Sequence, residues 1–144
     1  MILVVGLGNP GKEYEKTRHN AGRIILEHIA HANDFSEWKN DMKTKSLRAK
    51  GEVNGVKMEF MLPETFMNNS GNAVVPVIDS VKKLKNLVVV YDDIDIPIET
   101  MKISFNRSAG GHNGLASIIK RVKSEAFVRI RIGVSPHTPT GKIK

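Results

Sequence analysis

Two short apolar runs constrain this chain's fold more than any other feature. Met1–Val5 reads MILVV and Leu87–Tyr91 reads LVVVY, and each is followed at once by a glycine or an aspartate. Both are continuous rather than alternating. Such runs predict strands buried on both faces, in the middle of a sheet that helices cover. A chain of 144 residues, 40% of them hydrophobic, can build one domain of this kind around a modest core.

The remaining elements follow from periodicity and turn chemistry. Gly6–Asn20 is polar and irregular and reads as a loop. Asn20 stands where it can cap a helix from Ala21 to about Asn33, with Ile24, Ile25, His28, Ile29 and Ala32 along its inner face. Phe35–Lys45 reads as loop. Leu47–Val53 and Val56–Leu62 flank Asn54-Gly55, a pair that accepts positive φ at both turn positions and predicts a hairpin. Thr65 or Asn68 can open a helix running to about Lys83, kinked or divided at Pro76. Asp92–Pro97 reads as loop and Met101–Phe105 as strand. Gly110–Gly114 leads into a helix ending near Lys123, and Phe127–Val134 reads as a last strand. The order β-α-ββ-α-β-β-α-β predicts an α/β domain on a mixed sheet over residues 1–134, with a short flexible tail over 135–144.

Charge and composition narrow the function classes. Lys and Arg number 22 against 15 Asp and Glu, a net charge of +7, and the pI is near 9.7. That balance favours polyanion partners, nucleic acid first. The absence of cysteine excludes disulfides and thiol catalysis and fits a reducing cytoplasm. No apolar run approaches the ~20 residues of a membrane span, and the apolar start lacks the flanks of a signal peptide.

Five segments place polar side chains where glycines or a strand end would hold them in a cleft: GLGNPG (Gly6–Gly11), TRHN (Thr17–Asn20), FMNNSG (Phe66–Gly71), YDDID (Tyr91–Asp95) and GGHNG (Gly110–Gly114). GLGNPG matches a dinucleotide-binding glycine loop, but that motif needs a helix to begin at the loop, and helical pattern starts only after Asn20. The other reading is a tight turn that presents Asn9. His19 closes the loop after the first strand, and Asp92 ends a later one; strand ends gather around the ligand crevice of α/β sheets. An aspartate that accepts from one imidazole nitrogen leaves the other free to take a proton from water. Asp93 and Asp95 compete for that role. Asn68 and Asn113 suit either helix capping or donation to a developing oxyanion. No serine sits in a nucleophile elbow, so water is the attacker. The residues point to metal-free, histidine-assisted hydrolysis with a polyanionic partner.

Taken together, the segments resemble the bacterial-type peptidyl-tRNA hydrolases. The match runs in order from Ile2 to about Val134 through GLGNPG-x-x-Y-x-x-T-R-H-N-x-G, P-x-T-F-M-N-x-S-G, D-D-x-D, G-G-H-N-G-L and R-I-R-I-G. The resemblance implies a single three-layer α/β/α domain with a twisted mixed sheet. It implies metal-independent hydrolysis, without a cofactor, of the ester joining a peptidyl group to the 3′ end of tRNA. This would recycle tRNA from stalled or dropped-off peptidyl-tRNA in the cytoplasm, by a monomer. His19 would be the proton acceptor, Asp92 its support, and Asn9 the selector of N-blocked substrate. Tyr14, Phe66, Asn68 and Asn113 would contact the tRNA end and first peptide unit, and Met67 would line the pocket.

Lys102, Arg107, Lys120, Arg121, Lys123, Arg129 and Arg131 are the candidates for phosphate contacts, Arg131 first because it matches a phosphate-binding position of the family. The chain departs from the family in three places. Arg107 stands where glycine is common and Ser104 where a second basic residue is common. The lid-like segment and C-terminal helix that usually follow R-I-R-I-G are missing from this sequence. A noncatalytic RNA-binding relative, like some plastid splicing factors, is the alternative function; a Rossmann-type nucleotide-binding protein is the third.

Overall fold

The computed structural model describes residues 1–135, and the expected tail lies, past Ser135, outside them. Seven strands form one mixed sheet: β1 (Ile2–Gly6), β2 (Lys39–Asp41), β3 (Ser46–Val53), β4 (Val56–Pro63), β5 (Leu87–Pro97), β6 (Met101–Phe105) and β7 (Val128–Ser135). Their spatial order is β2-β3-β4-β1-β5-β7-β6. The two apolar runs are neighbours in its middle, where β1 pairs in parallel with both β4 and β5. Alternate residues of each go to opposite layers. Leu3, Val5, Val89 and Tyr91 pack under α2 (Gly71–Val74) and α4 (Asn113–Val122). Val4 and Val90 pack under α1 (Ala21–Ala32). The fold is thus the expected three-layer α/β/α arrangement.

The hairpin turns at Asn54 (φ 49°) and Gly55 (φ 82°), with Val53 opposite Val56. The expected helix to Lys83 is divided: a 3-10 turn at Met67–Asn69 and the short α2 are separated by the Pro76 stretch from α3 (Val81–Leu84), which Ser80 caps.

Three expectations need correction. The polar segment after Phe35 contains the edge strand β2, held on β3 with an Arg48–Asp41 ion pair at 2.8 Å; only one face of so polar a strand needs a neighbour. Asp92–Pro97 is not loop but a continuation of β5, paired with β7 through an irregular register between Asp93 and Pro97. The inner face of α1 is Gly22, Leu26 and Ala30, with Ile29 beside it, while His28 and Ala32 face solvent. Gly22 sets that rotation. A Cβ there would lie 2.2 Å from the Val90 carbonyl oxygen, so only glycine lets the helix approach β5 this closely.

At the far edge, Met101, Ile103 and Phe105 of β6 are 61%, 74% and 63% exposed. Among the described residues, no helix is long and apolar enough to cross a membrane.

Gly22→Ala is expected to lower stability by about 1–3 kcal/mol, the usual cost of overpacking a tight contact. A urea titration checks this, and an unchanged midpoint would contradict the close approach.

Candidate active site

The site lies at the C-terminal ends of β1 and β4, beside the extended β5 that carries Asp92. The loop after β1 runs to His19 and Asn20, where α1 begins ten residues beyond the glycines of GLGNPG. Because no helix starts at that loop, it does not offer a pyrophosphate the helix N-terminus that the dinucleotide motif requires.

Asn20 is buried and does not cap α1. Its carboxamide grips the main chain of Asn9 instead: Asn9 N–H donates to Asn20 Oδ1 at 2.8 Å, and Asn20 Nδ2 donates to Asn9 O at 2.9 Å. The Asn9 side chain in turn accepts from the Met67 N–H at 2.6 Å. Since a main-chain N–H only donates, this contact fixes Oδ1 inward and leaves the amide NH₂ for a ligand.

His19 and Asp92 meet. His19 Nδ1 lies 2.9 Å from Asp92 Oδ1 and 2.8 Å from Oδ2. A carboxylate only accepts, so Nδ1 carries the proton and Nε2 keeps a lone pair. The side chains are 40% and 12% exposed. Burial works against the Asp92 carboxylate, yet hydrogen bonds from His112 and His19 outweigh it and hold the group below its ordinary range. The Asp92 hydrogen bond raises the His19 imidazole above its ordinary value, against the opposing pull of burial.

His112 was not among the expected site residues. Its Nε2 lies 2.8 Å from Asp92 Oδ1, and its Nδ1 accepts from Leu115 N–H at 3.1 Å as the cap of α4. The signal was present in the sequence, a histidine three residues before the first apolar position of a helix. Asparagine's stronger capping preference hid it.

Asn113 and Asn68 cap nothing. Asn113 is the first residue of α4, Asn68 lies in the 3-10 turn, and both are exposed, their side chains without a hydrogen bond among the described residues. Met67 is buried and Phe66 is 57% exposed. Tyr14 is half-buried in the β1–α1 loop, where its carbonyl accepts from Thr17 Oγ1 at 2.8 Å. A Cβ on Gly114 would lie 2.4 Å from Met67 Sδ; that absent methyl lets α4 close on the 3-10 turn.

A cleft of about 250 Å³ opens on His19, Asp92 and His112 and is rimmed by Asp93, Ile94, Asp95 and Arg107. A larger groove, about 670 Å³, lies between the β1–α1 loop and the outer side of α1. It touches Asn9 and Asn20 but neither member of the His19–Asp92 pair. Of the two, the smaller cleft holds the His19–Asp92 pair, whose hydrogen bonding orients the His19 imidazole.

Two of the expected phosphate ligands turn inward. Arg131 is 9% exposed at the side chain; its Nε donates to Asp93 Oδ2 at 2.9 Å and its Nη1 to Ser104 Oγ at 3.2 Å. Arg129 is fully buried, donates to the Glu125 carbonyl at 2.9 Å and stacks on Phe127. Alternation along β7 sends both into the layer that holds α4, not to solvent. Asp93 is thereby committed to Arg131, and Asp95 lies only at the rim. Lys102, Arg107, Lys120, Arg121 and Lys123 are exposed.

His19, Asp92 and His112 bring donor atoms within 4.8 Å of one another, as a metal site would. Hydrogen bonding accounts for the cluster without an ion. The Leu115 N–H occupies His112 Nδ1, so the nitrogen facing Asp92 bears the proton and has no lone pair for a metal.

Residues 3–144 match the family described as Peptidyl-tRNA hydrolase. The chain is 42% identical over 139 residues to a peptidyl-tRNA hydrolase of Pediococcus pentosaceus, covering 96% of this chain and 74% of the relative. It is 44% identical over 135 residues to one of Carboxydothermus hydrogenoformans, covering 93% and 71%. A crystal structure of the Acinetobacter baumannii peptidyl-tRNA hydrolase superposes with a TM-score of 0.86 at 35% identity, over 94% of this chain and 68% of that one. With its fold, its motifs in register and its relatives in agreement, the chain belongs to the peptidyl-tRNA hydrolase family of enzymes.

Proposed function

We propose that this protein cleaves the ester between a peptidyl group and the 3′ end of tRNA by histidine-activated water, returning tRNA from stalled or dropped-off peptidyl-tRNA to use. One observation carries the proposal: Asp92 fixes the proton of His19 on Nδ1, which leaves the Nε2 lone pair for water in the cleft that both residues line. Water held at Nε2 gives up a proton as its oxygen adds to the ester carbonyl. Asn68 and Asn113, whose side chains have no hydrogen-bond partner among the described residues, donate to the oxygen that gains charge. Collapse expels the ribose 3′ oxygen, which recovers the proton from His19. The products are a peptide acid and a tRNA with a free 3′ hydroxyl.

A positioned base contributes ~10²–10⁴ in rate, and one oxyanion donor ~10²–10³. Together they suffice for an activated ester without a metal. Asn9 is the selector. Its outward NH₂ can donate to the carbonyl of an N-acylated substrate, whereas the ammonium of a free aminoacyl-tRNA would meet a donor and no counter-charge. Phe66 and Tyr14 offer stacking surfaces for the terminal nucleotides. With Arg129 and Arg131 committed internally, phosphate contacts fall to the exposed cations, Arg107 nearest the reacting groups. The working unit is taken to be a monomer in the cytoplasm, a compartment that suits a chain without cysteine.

The direct test is release of N-acetyl-aminoacyl groups from tRNA with EDTA present. Cleavage by the protein and its loss in His19→Ala are expected; tRNA binding without turnover would favour the noncatalytic alternative. The free base is the active form, so kcat/KM should rise with pH through a midpoint above the ordinary histidine value of ~6.5. Asp92→Asn should lower turnover by ~10²-fold or more and move that midpoint down, and near-normal turnover would reject the pair.

Asn9→Asp keeps the acceptor for Met67 N–H but presents a carboxylate to the substrate amine. It should narrow the preference for N-acetyl-aminoacyl-tRNA over aminoacyl-tRNA. An unchanged ratio of the two kcat/KM values would remove Asn9 from that role.

A further inference from the structure

We propose that His112 is a positioning residue for hydrolysis: its fixed Nε2–H holds the Asp92 carboxylate toward His19 and sets how strongly that carboxylate pulls on the His19 proton. The inference rests on the reading of His19 and Asp92 as base and support, and it adds a third group to them.

The geometry leaves His112 little freedom. Its side chain is 7% exposed. The Leu115 N–H occupies Nδ1, so the ring proton is on Nε2, aimed at Asp92 Oδ1. Tyr91 packs edge-on against the ring at 4.9 Å, and the tilted His19 ring lies 4.8 Å away. Both nitrogens are engaged and the ring is enclosed, so His112 cannot itself serve as the base. Whatever it does passes through Asp92.

Asp92 Oδ1 receives a donor from each side of the sheet, His19 from the start of α1 and His112 from the start of α4. A carboxylate that satisfies two donors gives less of its charge to each. Without the His112 donor, the full charge would fall on His19, favour the imidazolium, and make the base harder to free. The carboxylate would also lose its second anchor. The other ionisable groups near the trio are Asp93, neutralised by Arg131, then Asp95 and Arg107 at the cleft rim, and the Tyr91 phenol behind the ring. The first turn of α4 carries no acidic group. None of these changes when His112 is replaced.

Two variants separate its two bonds. In His112→Asn, the carboxamide oxygen stands near the position of Nδ1, keeping the cap and losing the donor. In His112→Gln, the longer amide can bring an N–H to the position of Nε2, keeping the donor and weakening the cap. The primary measurement is the titration of His19 by NMR, which needs no turnover. His112→Asn should move the His19 midpoint upward by roughly 0.5 or more, the scale of one charge-assisted hydrogen bond. It should also lower kcat by about 10-fold, with the acid limb of kcat/KM moving up, at nearly unchanged thermal stability. His112→Gln should titrate like wild type and retain more activity despite lower stability.

A His19 titration in His112→Asn that matches wild type would overturn the proposal. So would activity that falls in step with stability across both variants. If the wild type releases no acyl group from tRNA while the His19 midpoint still moves as expected, the hydrolytic reading fails and the coupling stands.

Discussion

A single carboxylate, shared by two imidazoles, organises this molecule. Asp92 sits at the point where β5 emerges from the core, and the two helical layers each send it one donor. His19 arrives from the layer of α1 and His112 from the layer of α4. The two rings meet 4.8 Å apart over that carboxylate, so the trio depends on the sheet spacing both layers correctly. The close approach of α1 at Gly22 and of α4 at Gly114 serves that spacing. Residues far from the chemistry in sequence are therefore part of its geometry.

From Asp92 the contacts run round a closed ring. His19 leads into Asn20, whose carboxamide clasps Asn9; Asn9 accepts from Met67; Met67 packs on Gly114; and His112, two residues earlier, returns to Asp92. All five sequence segments thus depend on one another. A closed ring restricts each member twice, so the loops hold their side chains in fixed positions; the proposed proton transfer would require that. The carboxamides of Asn9 and Asn20 take their orientations from main-chain groups within this ring.

What was legible in the sequence was whatever local chemistry decides. The Asn54-Gly55 hairpin, the two buried strands and the break at Pro76 follow from turn conformers, continuous apolar runs and a missing N–H. The pairing of His19 with Asp92 was legible as a hypothesis, because one closes the loop after the first apolar strand and the other ends the second apolar run. What tertiary contacts decide was not. The rotation of α1 depends on Gly22 meeting Val90, which periodicity cannot reveal. The extension of β5 past Asp92 depends on its partner β7, against the acidic, proline-ended sequence of the segment itself. Arg129 and Arg131 read as surface charge, and only the pleat of β7 and the presence of Asp93 show that they point inward. His112 was overlooked because an asparagine beside it was the better local candidate for the cap.

The outer strand β6 governs how separate copies of the molecule treat one another. Molecules each carrying a net +7 repel, while three bare apolar side chains on an open sheet edge attract. Dissolved ions screen the repulsion beyond about 10 Å at 0.1 M and leave the apolar attraction intact. The ionic strength that loosens a polyanion's grip on the surface is thus the one that lets these edges adhere, so colloidal behaviour and nucleic-acid affinity are tied to the same variable with opposite sign.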